Sequence, residues 1–279
     1  MSLNSLKFFL RHFKRSPAYL AISYPRRATV GLRYINRNLP DYLRWLFQSH
    51  EETNFTYDIP ASNRLYLEFT ISVVTGKPLD LVQGYVLEIE EDEQLRTILR
   101  NATRESPFRF VSDVEPRYGR RIGWYALARI IKPKVILETG VDKGLGAAIL
   151  CAALMRNAAE GHQGRYYGTD INHEAGWLLK APYSDFGEIL YGDSIESLRR
   201  FDRPIDLFIN DSDHSAAYEI QEYETIADKL NKNAVILGDN AHKTSGLAEF
   251  AVSRGRRFLF FQERAKNHWY PGAGIGFCF

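Results

Sequence analysis

Asp211, Asp213 and His214 fall within four residues of one another in LFINDSDHSAAY (207–218), directly after an apolar run that reads as a buried strand. Carboxylates crowded at the end of a strand repel unless a proton, a base or a metal ion takes up the charge. A second polar group, Asp239 and Asn240, ends the next apolar run, AVILGDN (234–240), and His242 follows it. An imidazole is suited to take a proton near neutrality, so His214 and His242 are candidate bases. The plainer alternative is that one of Asp211 and Asp213 caps the following helix and the other is solvated.

A third cluster lies earlier. ILETGVDKGLG (136–146) leaves a strand and opens a helix, with glycines at 140, 144 and 146. Glycine allows a tight turn and lets a ligand approach the main chain, and the helix start adds free N–H groups. The spacing is not the G-x-G-x-x-G of dinucleotide binders. Glu138 at the strand end is unwelcome beside a pyrophosphate but favourable opposite an ammonium or sulfonium. Asp170 ends the next strand and could accept from a ribose diol, or cap a helix. Asp193 and Ser194 end the one after, placed to meet an adenine edge or to cap SIESL, with capping the simpler role for Ser194.

These residues need a scaffold that brings strand ends together. KVILE (134–138), RYYGTD (165–170), EILYGD (188–193), IDLFIN (205–210) and AVILGDN (234–240) read as strands. Helix-like segments at 146–160, 194–201 and 216–230 separate them, which predicts βαβ units and a parallel sheet. RRFLFFQER (256–264) and GIGFCF (274–279) are too close for an intervening helix and predict an antiparallel edge hairpin. RRIGWYALARII (120–131) predicts an amphipathic helix feeding the first strand. Residues 41–50, 61–75 and 80–104 also look helical, with prolines between. The expected boundary lies near residue 115: a helical extension over residues 1–115, then an α/β domain over residues 116–279.

Composition narrows the choice. The net charge of +2 argues against a nucleic-acid binder, although residues 1–50 carry nine Lys or Arg against one acid. The basic, aromatic segment 5–27 could meet an anionic membrane surface, cover a site as a lid or dimer arm, or pack its apolar face on the main domain. Two cysteines, no evident signal peptide and no apolar run near the ~20 residues of a bilayer span predict a cytoplasmic protein.

The series E-T-G-V-x-x-G, G-T-D, G-D-S, D-L-F-I-N-D-S-D-H and G-D-N resembles class I S-adenosylmethionine-dependent methyltransferases over roughly residues 117–279. It looks most like the metal-dependent O-methyltransferases of the macrocin and novobiocin type, and more distantly like catechol and caffeoyl-CoA O-methyltransferases. The resemblance implies a Rossmann-like, mostly parallel seven-stranded sheet with an antiparallel last strand, plus the helical N-terminal extension. It implies that Glu138, Gly140, Gly144, Asp170, Asp193 and Ser194 bind S-adenosylmethionine. Asp211, Asp239 and Asn240 would hold a divalent cation, Mg²⁺ by donor type. Asp213 would be the general base, with His214 as its competitor. The acceptor would be a hydroxyl on a sugar, glycoside, glycolipid or secondary metabolite. Two positions depart from the pattern: Asn210 replaces an apolar residue, and Asp142 adds a charge to the glycine loop. The rival readings are a nucleotide-dependent oxidoreductase, which the loop spacing disfavours, a non-catalytic binding module, and a metal-independent methyltransferase using Asp213 or His214 alone.

Overall fold

The computed structural model describes residues 24–25, 27–29, 31–32, 38–52, 55–239 and 241–279. Most of segment 5–27, and Asn240, lie outside the described residues. The chain divides into two compact units, Met1–Ser49 and His50–Phe279. In the first, helix α1 (Leu39–Gln48) starts with Pro40 in its first turn, where the missing N–H costs nothing.

The second unit begins with α2 (Ala61–Thr75), stopped by Gly76 in the left-handed region. The single helix expected over 80–104 is two, α3 (Leu79–Glu90) and α4 (Glu93–Glu105). The break falls where the Asp92 carboxylate accepts from the Leu95 N–H and starts a new helix. Then come α5 (Arg121–Ile131), β1 (Val135–Thr139), α6 (Leu145–Ala159), β2 (Arg165–Asp170), β3 (Gly187–Tyr191) and α7 (Ser194–Arg200). β4 (Ile205–Asn210), α8 (Ala216–Ile226), β5 (Leu230–Gly238), α9 (Gly246–Ser253), β6 (Phe258–Gln262) and β7 (Gly274–Cys278) complete it. The expected helix 216–230 ends early, and Leu230 already belongs to β5.

The seven strands lie in the order β3-β2-β1-β4-β5-β7-β6. All neighbours are parallel except β7, which runs antiparallel to β5 and β6. Alternation along each strand sends side chains to opposite faces. Ile136, Leu207 and Leu237 enter a core with residues from α2 to α6. Leu137, Phe208 and Ile236 enter a second core with α7, α8 and α9. Each fully buried Leu, Ile or Phe contributes about 1.5–3 kcal/mol. The boundary expected near residue 115 falls inside this unit, because Leu67, Ile71, Val82 and Leu95 share one core with Trp124 and Leu150.

The strand order reverses between β1 and β4. In open α/β sheets the crevice at the carboxyl ends beside such a switch point receives ligands. No helix among the described residues is long and apolar enough to cross a membrane.

Candidate active site

The hydrogen-bond ladder continues past the strand ends. Asp211 N–H donates to Thr139 O, and Asp239 N–H donates to Asn210 O, both at 2.8 Å. This carries the main chain of residues 139–140, 210–212 and 239 side by side onto one edge. Gly140 has φ 82°, and a Cβ there would lie 2.0 Å from the Asp211 carbonyl oxygen, so only glycine lets the two loops meet. At Gly144, φ 92°, a Cβ would press on Gly176.

Asp170 secures the glycine loop. One carboxylate oxygen accepts from the Val141 and Asp142 N–H groups at 3.0 and 2.9 Å, and the other from Asn172 N–H at 2.8 Å. A carboxylate has about four acceptor positions, so capacity for a ligand hydroxyl remains. Glu138 is buried and accepts from the Tyr166 hydroxyl at 2.5 Å. Burial pushes its carboxyl up to about 7 against that hydrogen bond, and a cation beside it would favour ionisation. Asp193 caps α7, accepting from Glu196 N–H at 3.0 Å and from the Tyr218 hydroxyl at 3.0 Å. Ser194, expected as the cap, is buried and donates to Glu222.

Glu222 is a keystone beneath the strand ends. Its carboxylate accepts from Thr139 and Ser212 at 2.8 Å each, and from Ser194 and Asn210. Asn210, the departure noted at the end of β4, is fully buried in this network and also accepts from the Tyr223 hydroxyl. A polar residue is tolerated there because every partner is supplied.

Glu138, Gly140, Asp211, His214 and Asp239 line one cavity of about 620 Å³. Its other walls include Arg120, Arg121, Lys243 and the rings of Phe55, Tyr57 and Tyr270. Those rings gather, with centroids 5.6 Å apart for Phe55–Tyr270 and 5.9 Å for Tyr57–Tyr270. His214 stands at the polar end: Nε2 is 3.8 Å from Asp211 Oδ1, and Nδ1 is 3.8 Å from Glu219 Oε1. Asp213 is exposed and accepts from Ser215 N–H at 2.7 Å, in a turn that opens α8. His242 is exposed, and partial burial and Lys243 hold its imidazole below its ordinary value. The structure thus turns His214 into the cavity and Asp213 towards solvent.

Sequence reasoning missed Arg120. Its guanidinium donates through Nε and Nη2 to the two oxygens of Asp239, each at 2.5 Å, and through Nη1 to Glu263 at 3.2 Å. Its own N–H donates to the other Glu263 oxygen at 2.9 Å. Burial alone would disfavour the charge, but Asp239 and Glu263 outweigh it and hold the guanidinium firmly protonated. Burial raises Asp239 in turn, and Arg120 more than offsets this, keeping it below the usual carboxylate range. Arg121 follows, with Nη2 4.0 Å from Asp211. Two arginines at the start of a helix, with no acid in its first turn, run against the helix dipole. That local conflict was the signal in the sequence.

Two of the three groups expected to hold Mg²⁺, Asp211 and Asp239, line the same cavity, and the third, Asn240, lies outside the described residues. Both Asp239 oxygens accept from the Arg120 guanidinium, which already offsets the negative charge a divalent cation would neutralise there. Among the described residues no group of three or more His, Cys, Asp or Glu side chains could hold a metal ion. Of the residues expected for S-adenosylmethionine, Glu138 and Gly140 line the cavity, whereas Gly144, Asp170, Asp193 and Ser194 are not among its lining residues. The loop leaves no room for a Cβ at Gly140, and the cavity offers the buried Glu138 carboxylate to a cationic ligand.

Residues 137–241 match a family model described as a methyltransferase domain. No curated protein matches the chain. Among solved structures, an assigned O-methyltransferase from Klebsiella pneumoniae aligns at 16% identity over 66% of this chain and 88% of its own, with TM-score 0.50. An O-methyltransferase from Bacillus cereus in complex with SAH aligns at 16% identity over 67% and 91%, TM-score 0.49. TomG from Streptomyces achromogenes, an O-methyltransferase of tomaymycin synthesis in complex with SAM, aligns at 19% over 67% and 89%, TM-score 0.47. The chain thus carries, over residues 137–241, a match to a methyltransferase domain, and its seven-stranded sheet shares the fold of the Klebsiella pneumoniae structure.

Proposed function

We propose that the protein methylates a hydroxyl oxygen of a small ring-bearing acceptor, a sugar, glycoside or secondary metabolite. The observation that carries this reading is the shared cavity: the glycine loop and the imidazole of His214 line the same space. S-adenosylmethionine supplies an electrophilic methyl group on a sulfonium. Glu138 offers its carboxylate to the cationic end of that cofactor, and Asp170 offers its remaining lone pairs to the ribose. Asp193, two residues beyond β3, would meet the adenine edge.

His214 is the base in this reading. Its ring stands between two carboxylates, Glu219 3.8 Å from Nδ1 and Asp211 3.8 Å from Nε2, which favour the protonated imidazole. His214 accepts the hydroxyl proton as the oxygen attacks. Phe55, Tyr57 and Tyr270 present flat faces suited to the C–H face of a sugar or to an aromatic ring.

Calorimetric titration with S-adenosylhomocysteine tests the reading. Wild type is expected to bind, and Asp170→Ala to bind about tenfold more weakly, the loss of one charge-assisted hydrogen bond. A well-folded wild type that fails to bind would refute the proposal.

A further inference from the structure

We propose that the Arg120 guanidinium takes the place of a divalent cation at the strand-end carboxylates, so that methyl transfer here needs no metal ion. The inference rests on the methyltransferase reading and concerns how that site handles charge.

Three observations carry it. First, the guanidinium is seated on Asp239 by two parallel hydrogen bonds, the geometry in which arginine binds carboxylates best. Second, the seat is built from the far side of the domain. Glu263, fully buried just beyond β6, accepts from both the side chain and the main chain of Arg120. Tyr57 donates to the same carboxylate at 3.0 Å. Third, the turn that delivers Arg120 admits no side chain at its preceding residue. Gly119 has φ 52°, and a Cβ there would lie 2.9 Å from both Glu263 and the Tyr57 carbonyl. Arg120 is therefore held by its partners and by its own turn, and it lines the acceptor end of the cavity.

An arginine has five N–H donors. Asp239 and Glu263 take three of them. The remaining two serve the acceptor, as a fixed positive charge beside the oxygen that attacks. In the transfer, the acceptor oxygen forms its bond to the methyl carbon while the sulfur–methyl bond breaks, and sulfur keeps that electron pair as a neutral thioether. The hydroxyl proton passes to His214. No oxidant, reductant or further reactant is required, and Arg120 keeps its proton throughout.

The test is Mn²⁺ binding read by electron paramagnetic resonance, on wild type, Arg120→Ala and Arg120→Lys, with S-adenosylhomocysteine calorimetry on the same samples. Wild type and Arg120→Lys are expected to bind no Mn²⁺ at millimolar concentration. Arg120→Ala, which uncovers two carboxylates and removes a like charge, is expected to bind it at least about tenfold more tightly. Stoichiometric Mn²⁺ binding by wild type, lost in Asp239→Asn, would overturn the inference even if S-adenosylhomocysteine binds normally. The wild-type measurement stands even if Arg120→Ala fails to fold. Failure to bind S-adenosylhomocysteine would instead strike the methyltransferase reading, so the two failures are distinguishable.

Discussion

The two ends of the cavity are built by different means. At one end, the glycine loop forms one contiguous stretch, 138–146, tied by a single carboxylate, Asp170. At the other, Arg120, Asp211, Asp239 and Glu263 come from four separate stretches of the chain. The first end works through main-chain geometry, which glycine sets locally. The second works through opposed charges, which only the fold assembles. Damage at the first should therefore be felt mainly as lost ligand binding, and damage at the second mainly as lost stability.

The sharpest way to break that contrast is Asp239→Ala. It leaves Arg120 buried with Glu263 as its remaining carboxylate, and loss of one partner of a buried pair costs about 3–5 kcal/mol. Denaturant unfolding checks it, and a loss near zero would mean the pair is not built into the fold.

Glu138 tests the other end through pH. Its folded-state pKa, about 7, lies above its ordinary value of 4.5. The stability it lends is complete below the lower value and is lost as pH rises through the upper, about 3 kcal/mol across that window. Glu138→Gln is expected to flatten this fall, measured as the denaturation midpoint across the same range. S-adenosylhomocysteine should restore some of the wild-type loss, because its ammonium favours the ionised carboxylate.

Asp213→Ala is the smallest change. Asp213 holds only the turn that opens α8, so about 1 kcal/mol is expected, with S-adenosylhomocysteine affinity unchanged. A loss of affinity would tie this exposed loop to the proposed cofactor site.

The same division explains what the sequence made legible. Strands showed as short apolar runs, and Gly140 and Gly144 were found because a turn demands glycine within a few residues of its own strand. The break at Asp92 was missed because helix-forming residues continue across it, and one carboxylate decides where the second helix starts. Arg120 was read as belonging to an amphipathic helix. Nothing within ten residues of it supplies its partners, which lie 119 and 143 positions away. The preference for Asp213 over His214 followed the family pattern. Which of two near neighbours turns inward is set by the turn between β4 and α8, and spacing alone does not encode that.

Glu222 carries a consequence for how such a chain changes over generations. Four hydroxyl or amide groups, on Thr139, Ser194, Asn210 and Ser212, converge on its one carboxylate. Replacing the acid alone strands all four; replacing any one of them leaves the acid with an empty place. Positions 139, 194, 210, 212 and 222 are thus free to drift only as a set, and a relative with an apolar residue at 210 should have exchanged the others with it.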